Sequence, residues 1–337
     1  MSNWDNDKAL NTYSDQNHIE IMRVIICSHE ADIDGMYSAS VALIKYPNAT
    51  VSFYNYGLDN FKRMFAYLKC EAKNTLGGLV IISDLGINDE RVSQLCIDAI
   101  GYLKTRRWSI LWIDHHPWDR QSLALIRKLI KLYHDHTGKK CATEIMYERL
   151  MNKSKIAKQL KLIAHISDFM TDVKNHDSRV SELIHFYRNS SRSRQKLESL
   201  ARKASIGVFW DHEMQFDYNK FARLSDFQKN KSLSTLVIKK VDSFDVGFVF
   251  TYPLVQASLF ANEIFSKIKV DLVMLFNKEG KVSIRRNTDK ISCNKVASFL
   301  VEGGGHNFAS GGKLESDPRN HDACIKEMHT AIKRSLT

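Results

Sequence analysis

The sequence predicts an α/β protein, a parallel doubly wound sheet joined by a helical linker to a smaller mixed α/β domain. Three observations predict it. From Arg23 to about Leu150, apolar strand runs alternate with amphipathic stretches, the pattern of one sheet wound with helices. Those strand runs are continuously apolar instead of alternating, which calls for cover on both faces. A second, separate apolar pattern begins at Ser234, and 337 residues exceed one ordinary compact core, so two domains are expected.

Taken in chain order, residues 1–20 mix acids and bases and read as a ragged start, not a targeting segment. Strands are expected at Arg23–Ser28, Thr50–Tyr56, Gly78–Ser83 and Ser109–Ile113. Helices are expected between them at Gly35–Lys45, Asp59–Lys69 and Asn88–Leu103, then at Ser122–Tyr133, Ala142–Met151 and Ile156–Ile166. Composition shifts after Phe186: Asn189–Ser205 sets Arg192, Arg194, Lys196, Arg202 and Lys203 against the single acid Glu198. That reads as a basic, partly helical linker. The polar, aromatic stretch Asp211–Lys231 fits no assigned pattern. Beyond it, strands at Thr235–Val241, Val246–Thr251, Leu272–Asn277 and Lys281–Arg286 surround a helix at Val255–Ile268. Asn277-Lys278-Glu279-Gly280 makes a hairpin turn, and helices at Asn294–Val301 and Asp322–Leu336 finish the chain. The expected division is 22–185, a linker over 186–233, and 234–337.

A composition of 44% apolar and 26% charged residues is that of a globular protein, and no apolar run reaches the ~18 residues of a membrane span. Six cysteines are dispersed without a Cys-x-x-Cys pair. They read as free thiols in a reducing cytoplasm and argue against a structural zinc. Lysine and arginine exceed acids by 49 to 38, a net charge of +11, which favours polyanionic partners. Nucleic acid, a nucleotide or a membrane surface all fit that charge; the site below selects the first two, and no membrane partner is expected.

The chemistry concentrates where apolar runs end. Arg23–Ser28 leads into His29-Glu30-Ala31-Asp32-Ile33-Asp34-Gly35, Gly78–Ser83 into Asp84, and Ser109–Ile113 into Asp114-His115-His116. Asp168 closes a further apolar stretch, Ile163–Ser167. In an open parallel sheet the strand C-termini share one edge, so these groups are expected to converge. Gly35 lets the backbone bend sharply, and Asp32 and Asp34, two apart on an extended segment, point the same way. His29, Asp32, Asp34, Asp84, His115 and Asp168 form a mixed oxygen and imidazole set suited to Mn²⁺ or Mg²⁺. Carboxylates packed this closely repel unless cations intervene. Two ions sharing a bridging carboxylate would acidify a water and stabilise an in-line phosphoryl displacement. One aspartate at a strand end is usually a helix cap, and one His-His pair is often packing. Four such features at one edge outweigh both explanations.

The motifs HEADIDG (29–35), ISDLGIN (82–88), IDHHP (113–117) and HISDF (165–169) resemble the four motifs of the DHH phosphoesterases. The resemblance implies that His29 and Asp32 hold one manganese ion, that Asp34, His115 and Asp168 hold the other, and that Asp84 bridges them. It places His116 on the scissile phosphate, with Asp114 behind the ligands orienting the histidines. Glu30, within the first motif, and Asp172, four residues beyond Asp168, are additional acids and alternative ligands. GGGHNFASGG (303–312), after VSIRRN (282–287), is similar to the signature of the DHHA1 domain of the nuclease branch. Consecutive glycines let backbone N–H groups approach an anion. By the same resemblance Arg285 and His306, with Gly304 and Gly305, hold the substrate's terminal phosphate or neighbouring nucleotide. Arg286 stands where a small residue is common, which leaves open which arginine faces inward.

The similarity covers roughly 22–185 and 235–335, and ISDLGIN looks like the oligoribonuclease group called nanoRNases. It implies a manganese-dependent phosphodiesterase that cuts short single-stranded RNA, oligonucleotides or linear dinucleotides to mononucleotides. Cyclic dinucleotides or phosphoadenosine phosphate are alternative substrates. A catalytically silent nucleic-acid-binding relative is the alternative of another class, and the complete set of ligand residues counts against it. Homodimer formation, RNA against DNA and the direction of attack stay open.

Overall fold

A computed structural model of the chain describes residues 22–87, 89–169 and 178–336. They fall into two compact units, one of residues up to 176 together with 194–208, the other of 177–193 together with 209 onward.

The first unit is a five-stranded sheet of β1 (Val24–His29), β2 (Thr50–Tyr54), β3 (Gly78–Ser83), β4 (Trp108–Asp114) and β5 (Lys131–His134). The order is β2-β1-β3-β4-β5 and every pairing is parallel. Helices α1 (Ile33–Lys45), α2 (Leu58–Asn74), α3 (Glu90–Thr105) and α4 (Arg120–Leu129) connect successive strands. On one face Ile25, Cys27, Val80, Ile82 and Trp112 pack with Phe61, Phe65 and Ile100 of α2 and α3. On the other, α1 packs against β1 and β3 and is covered in turn by α5 (Ala142–Leu150) and α6 (Lys155–Phe169). Ile33 through Leu43 are therefore buried without interruption. The order of strands reverses between β1 and β3, and the crevice outside the strand ends at such a switch point is where doubly wound folds bind ligands.

Two sequence expectations are corrected here. The helix expected over Ser122–Tyr133 stops at Leu129, and Lys131–His134 is the fifth strand. This edge strand is short and only half-buried, so it lacks an apolar run, and pairing with β4 through Leu111 and Lys131 creates it. Asp168, expected to join the others at the edge where the strands end, comes from a helix and not from a strand. It lies in the last turn of α6, because Ile163–Ser167 continues the helical spacing begun at Lys155.

The second unit is a six-stranded mixed sheet, β10-β11-β9-β8-β7-β6. Its strands are β6 (Val237–Val241), β7 (Phe244–Thr251), β8 (Leu272–Asn277), β9 (Lys281–Arg286), β10 (Val301–Gly305) and β11 (Ala309–Lys313). Only β7 and β8 pair in parallel, with α10 (Ala257–Lys267) crossing between them. The β8–β9 hairpin turns where expected: Asn277 Oδ1 accepts from the amides of Glu279 and Lys281, and Gly280 takes φ +74°. Helices α11 (Cys293–Ala297) and α12 (His321–Leu336) cover one face of the sheet. Strands β10 and β11 were not expected. Their glycines carry turn propensity but no apolar signal, and pairing of β11 with β9 fixes them as strands.

The stretch between the sheets is largely helical. It holds α7 (Arg179–Arg188), α8 (Ser193–Ser205) and α9 (His212–Leu233); α8 belongs to the first unit, α7 and α9 to the second. No helix among the described residues is long and apolar enough to cross a membrane. All six cysteines are free, five of them buried.

Candidate metal centre

His29 ends β1, and Asp32 caps the helix that follows, accepting from the Gly35 amide at 3.0 Å. Gly35 has a steric role here. A Cβ on it would stand 2.4 Å from the His29 carbonyl oxygen, so the glycine lets α1 begin directly under the end of β1. Asp34, in the first turn of α1, accepts from the amides of Ala142 at 2.7 Å and Thr143 at 2.8 Å. The N-terminus of α5 thereby stabilises its charge and fixes its orientation. Two amides leave lone pairs of the carboxylate free, and Oδ2 lies 3.6 Å from His115 Nε2.

Asp84 follows β3 with φ +57°, left-handed backbone that a residue with a Cβ rarely adopts. Its amide donates to the Ile113 carbonyl of β4 at 2.9 Å, which holds this turn. The carboxylate stands between two imidazoles, 3.4 Å from His29 Nδ1 and 3.4 Å from His115 Nε2. Asp168 reaches the other side of the His115 ring, 3.8 Å from Nδ1. All six residues expected to hold metal are thus brought together.

Their charges are strongly coupled. Burial, then the charges of Asp34 and Asp32, push Asp84 up to about 7. Asp168 is raised to about 6, by burial and then Asp34. Burial opposes protonation of His29, but the adjacent carboxylates of Asp32 and Asp84 outweigh it and raise the imidazole to about 10. His115 rises to about 9 in the same way against burial, through Asp84 and Asp34. Asp32 goes the other way: its pairing with His29 overcomes burial and holds it at about 2.

Three sets of donor atoms lie within 4.8 Å of one another: His29, Asp32 and Asp84; Asp34, His115 and Asp168; and Asp84, His115 and His116. Both ring nitrogens of His29, both oxygens of Asp84 and Nε2 of His115 are buried without a hydrogen-bond partner among the described residues. The His29 Nδ1 to Asp32 approach of 2.8 Å lacks the angle of a hydrogen bond. Buried polar atoms left unpaired are costly. A divalent cation is the partner that satisfies imidazole lone pairs and carboxylates together, so the residues present fit metal. Glu30 belongs to none of the three sets, and Asp172 lies outside the described residues.

Behind the ligands is a hydrogen-bonded support. Asp114, fully buried at the end of β4, accepts from the His116 amide at 3.2 Å, sits 2.9 Å from His116 Nδ1 and accepts from Trp118 Nε1. Gly86 makes room for it, since a Cβ there would meet His116 Cβ at 2.8 Å. The second ring nitrogen of His116 lies 2.9 Å from the Tyr56 hydroxyl, which also reaches the Asp84 carbonyl oxygen at 3.3 Å. The Tyr56 ring packs on His29, with centroids 4.5 Å apart. Sequence reasoning missed Tyr56 although a signal existed: it lies just past β2, at the same sheet edge as the other site residues. Trp118 and the amides of Ala142 and Thr143 were missed too, and only their tertiary placement marks them.

In the second unit, Gly304 and Gly305 lie in β10, the edge strand, and not in an open loop. Gly305 has φ +133°, and a Cβ on it would reach Ser310 Cα at 2.7 Å; one on Gly304 would meet nothing within 4 Å. His306 is exposed and stacks on Phe308. Arg286 is committed to its own loop, donating to the carbonyls of Asp289 and Ile291 and to the Asp289 carboxylate. Arg285 uses one Nη on the carbonyls of Ile284 and Ser310.

Comparison with known proteins agrees with this architecture. Residues 23–172 match the DHH family, N-terminal domain. A 3',5'-cyclic-nucleotide phosphodiesterase of Helicobacter pylori is 23% identical over 334 residues, covering 88% of this chain and 94% of its own. An exopolyphosphatase-related protein from Bacteroides fragilis has a similar fold, with a TM-score of 0.51, 15% identity, and 94% and 93% of the two chains covered. CDC45 from Entamoeba histolytica aligns with a TM-score of 0.51 at 9% identity, over 92% of this chain and 95% of its own. The matched region spans the whole acid and histidine cluster, so residues 23–172 carry the DHH family N-terminal domain, the domain of metal-dependent phosphoesterases.

Proposed function

We propose that the protein is a two-metal phosphodiesterase that hydrolyses short oligoribonucleotides or linear dinucleotides to mononucleotides. The observation that carries this reading is the sharing of Asp84: it belongs to one donor set with His29 and Asp32 and to another with His115 and His116. In the proposal, His29, Asp32 and Asp84 hold one cation, Asp34, His115 and Asp168 hold a second, and Asp84 joins them. Manganese suits this balance of imidazole and carboxylate, with magnesium as the alternative. Bound there, the cations supply Lewis acidity and a water acidic enough to act as a nucleophile at neutral pH. The chain's own part is to position. Asp114 fixes the His116 ring, and a phosphate oxygen of the substrate would replace the Tyr56 hydroxyl at its Nε2. Asp34, anchored on α5, resists reorientation as charge builds. Arg285, with His306 and the bare backbone of Gly304 and Gly305, takes the far phosphate or nucleotide.

A second reading is favoured by one observation. The Helicobacter pylori relative, similar along nearly its full length, is named for 3',5'-cyclic nucleotides, whose phosphodiester closes on a single ribose where that of a linear dinucleotide joins two. A panel separates the two: linear dinucleotides, five-mers, longer single strands, cyclic dinucleotides, 3',5'-cyclic nucleotides, phosphoadenosine phosphate and pyrophosphate, each with manganese and with chelator. Manganese-dependent release of mononucleotide, fastest from linear dinucleotides or five-mers, is expected. Faster opening of the cyclic mononucleotide assigns the second reading, and hydrolysis of pyrophosphate alone rejects both. Arg285→Ala is expected to raise KM with little change in kcat; an unaltered KM removes Arg285 from the binding site.

A further inference from the structure

We propose that the outer face of α9 is a binding surface for single-stranded nucleic acid, apart from the hydrolytic site. This helix presents Phe216, Leu224 and Phe227 to solvent at 69%, 40% and 65% exposure. Lys220 and Arg223 are exposed as well. At 3.6 residues per turn, Phe216, Lys220, Arg223 and Phe227 fall on one line along the helix. The opposite face is buried through Met214, Phe221 and Ser225, and Phe221 packs on Phe186 of α7. The helix therefore has a core side already, and the aromatic line is additional to it. Neither Lys220 nor Arg223 pairs with an acid among the described residues.

The arrangement selects the occupant. Two exposed aromatic positions set apart by a helix rise of about 16 Å, with two cations between them that face no acid and of which Arg223 also donates to the Asn219 carbonyl, match a chain of alternating flat bases and phosphates. Bases stack on Phe216 and Phe227 while phosphates meet Lys220 and Arg223. A second copy of this chain fits poorly, because antiparallel pairing of the helix with itself would set Lys220 against the partner's Arg223 in the middle of the contact. A lipid surface fits poorly too, since amphipathic membrane helices carry cations on the polar face and not within the apolar line. The surplus of positive charge, +11, draws a polyanion to the protein from a distance.

The test uses the full-length protein with EDTA, so that nothing is hydrolysed, and fluorescein-labelled oligothymidylate of about 16 nucleotides, read by anisotropy. Binding is expected, and F216A/F227A should weaken it at least roughly tenfold, while F216W/F227W keeps it. K220A/R223A should lower the slope of log affinity against log salt by about 1.4, the release expected from two phosphates of a single strand. All these positions are exposed, so unchanged thermal unfolding midpoints serve as the folding control. The proposal is overturned if the wild-type protein does not bind, or if both double variants bind as the wild type does. It is also overturned if F216A/F227A leaves oligothymidylate binding intact but abolishes a dimer seen by light scattering or cosedimentation with phosphatidylglycerol-containing vesicles. Because binding is read without metal, its failure leaves the hydrolytic reading standing, and the reverse holds as well.

Discussion

Asp84→Asn isolates the electrostatic design of the site. Asparagine keeps the shape of the side chain and is among the residues that best tolerate the left-handed φ of +57° found there. It removes the charge. Raising a buried carboxyl from its usual 3.8 to about 7 means the ionised form costs the metal-free fold on the order of 4 kcal/mol, at about 1.4 kcal/mol per pH unit. Between those values the folded state binds more protons than the unfolded chain, so stability falls as pH rises from about 4 to 7. His29 and His115, raised to about 10 and 9, add stability that is complete below their usual 6.5 and is lost as pH climbs through those values. All three trends have one sign. In EDTA, the wild-type melting temperature is expected to fall from pH 5 to pH 8, and Asp84→Asn should flatten the lower part of that fall. Manganese should reverse the trend for the wild type, because its ligands must deprotonate, and should stabilise the variant far less. Phosphodiester hydrolysis should drop by more than the roughly 10–100-fold that loss of an outer support costs. The assays are thermal unfolding across pH with and without manganese, and steady-state turnover. Equal manganese stabilisation of both proteins, or turnover retained in the variant, would refute the assignment of Asp84 between the cations.

Tyr56→Phe removes the hydroxyl 2.9 Å from His116 Nε2; kcat/KM should fall about tenfold and the His116 limb of the pH profile should move, and an identical profile would show the contact to be passive. Trp118→Phe deprives the buried Asp114 of its indole donor, and metal titration should reveal affinity about 10–100-fold weaker. Gly35→Ala forces a Cβ to within 2.4 Å of the His29 carbonyl, so urea unfolding should show a loss of about 1–3 kcal/mol together with weaker metal binding.

Much of the first unit was legible because its signals are local. Three of its strands, β1, β3 and β4, are mainly apolar runs that lead directly into acids and histidines, so the parallel-sheet rule carries His29, Asp84 and His115 to one edge without any structure. What failed, failed where a neighbour decides. Asp168 reaches His115 from the end of a helix. The four-residue β5 exists through its pairing with β4. The Gly303–Gly312 stretch resembles a turn until β9 supplies the hydrogen bonds that make it a hairpin.

The sequence by itself determined the candidate donor residues, the glycines that let them crowd and the layered α/β architecture, since residue identity and hydrophobic period are properties of the chain alone. Only the tertiary structure decided which groups share Asp84, that Tyr56 and Trp118 support the histidines, that Arg286 is tied to its own loop, and that α9 keeps an aromatic line in solvent. Those outcomes depend on distances between segments remote in sequence, and such distances are set by packing and not by any local pattern.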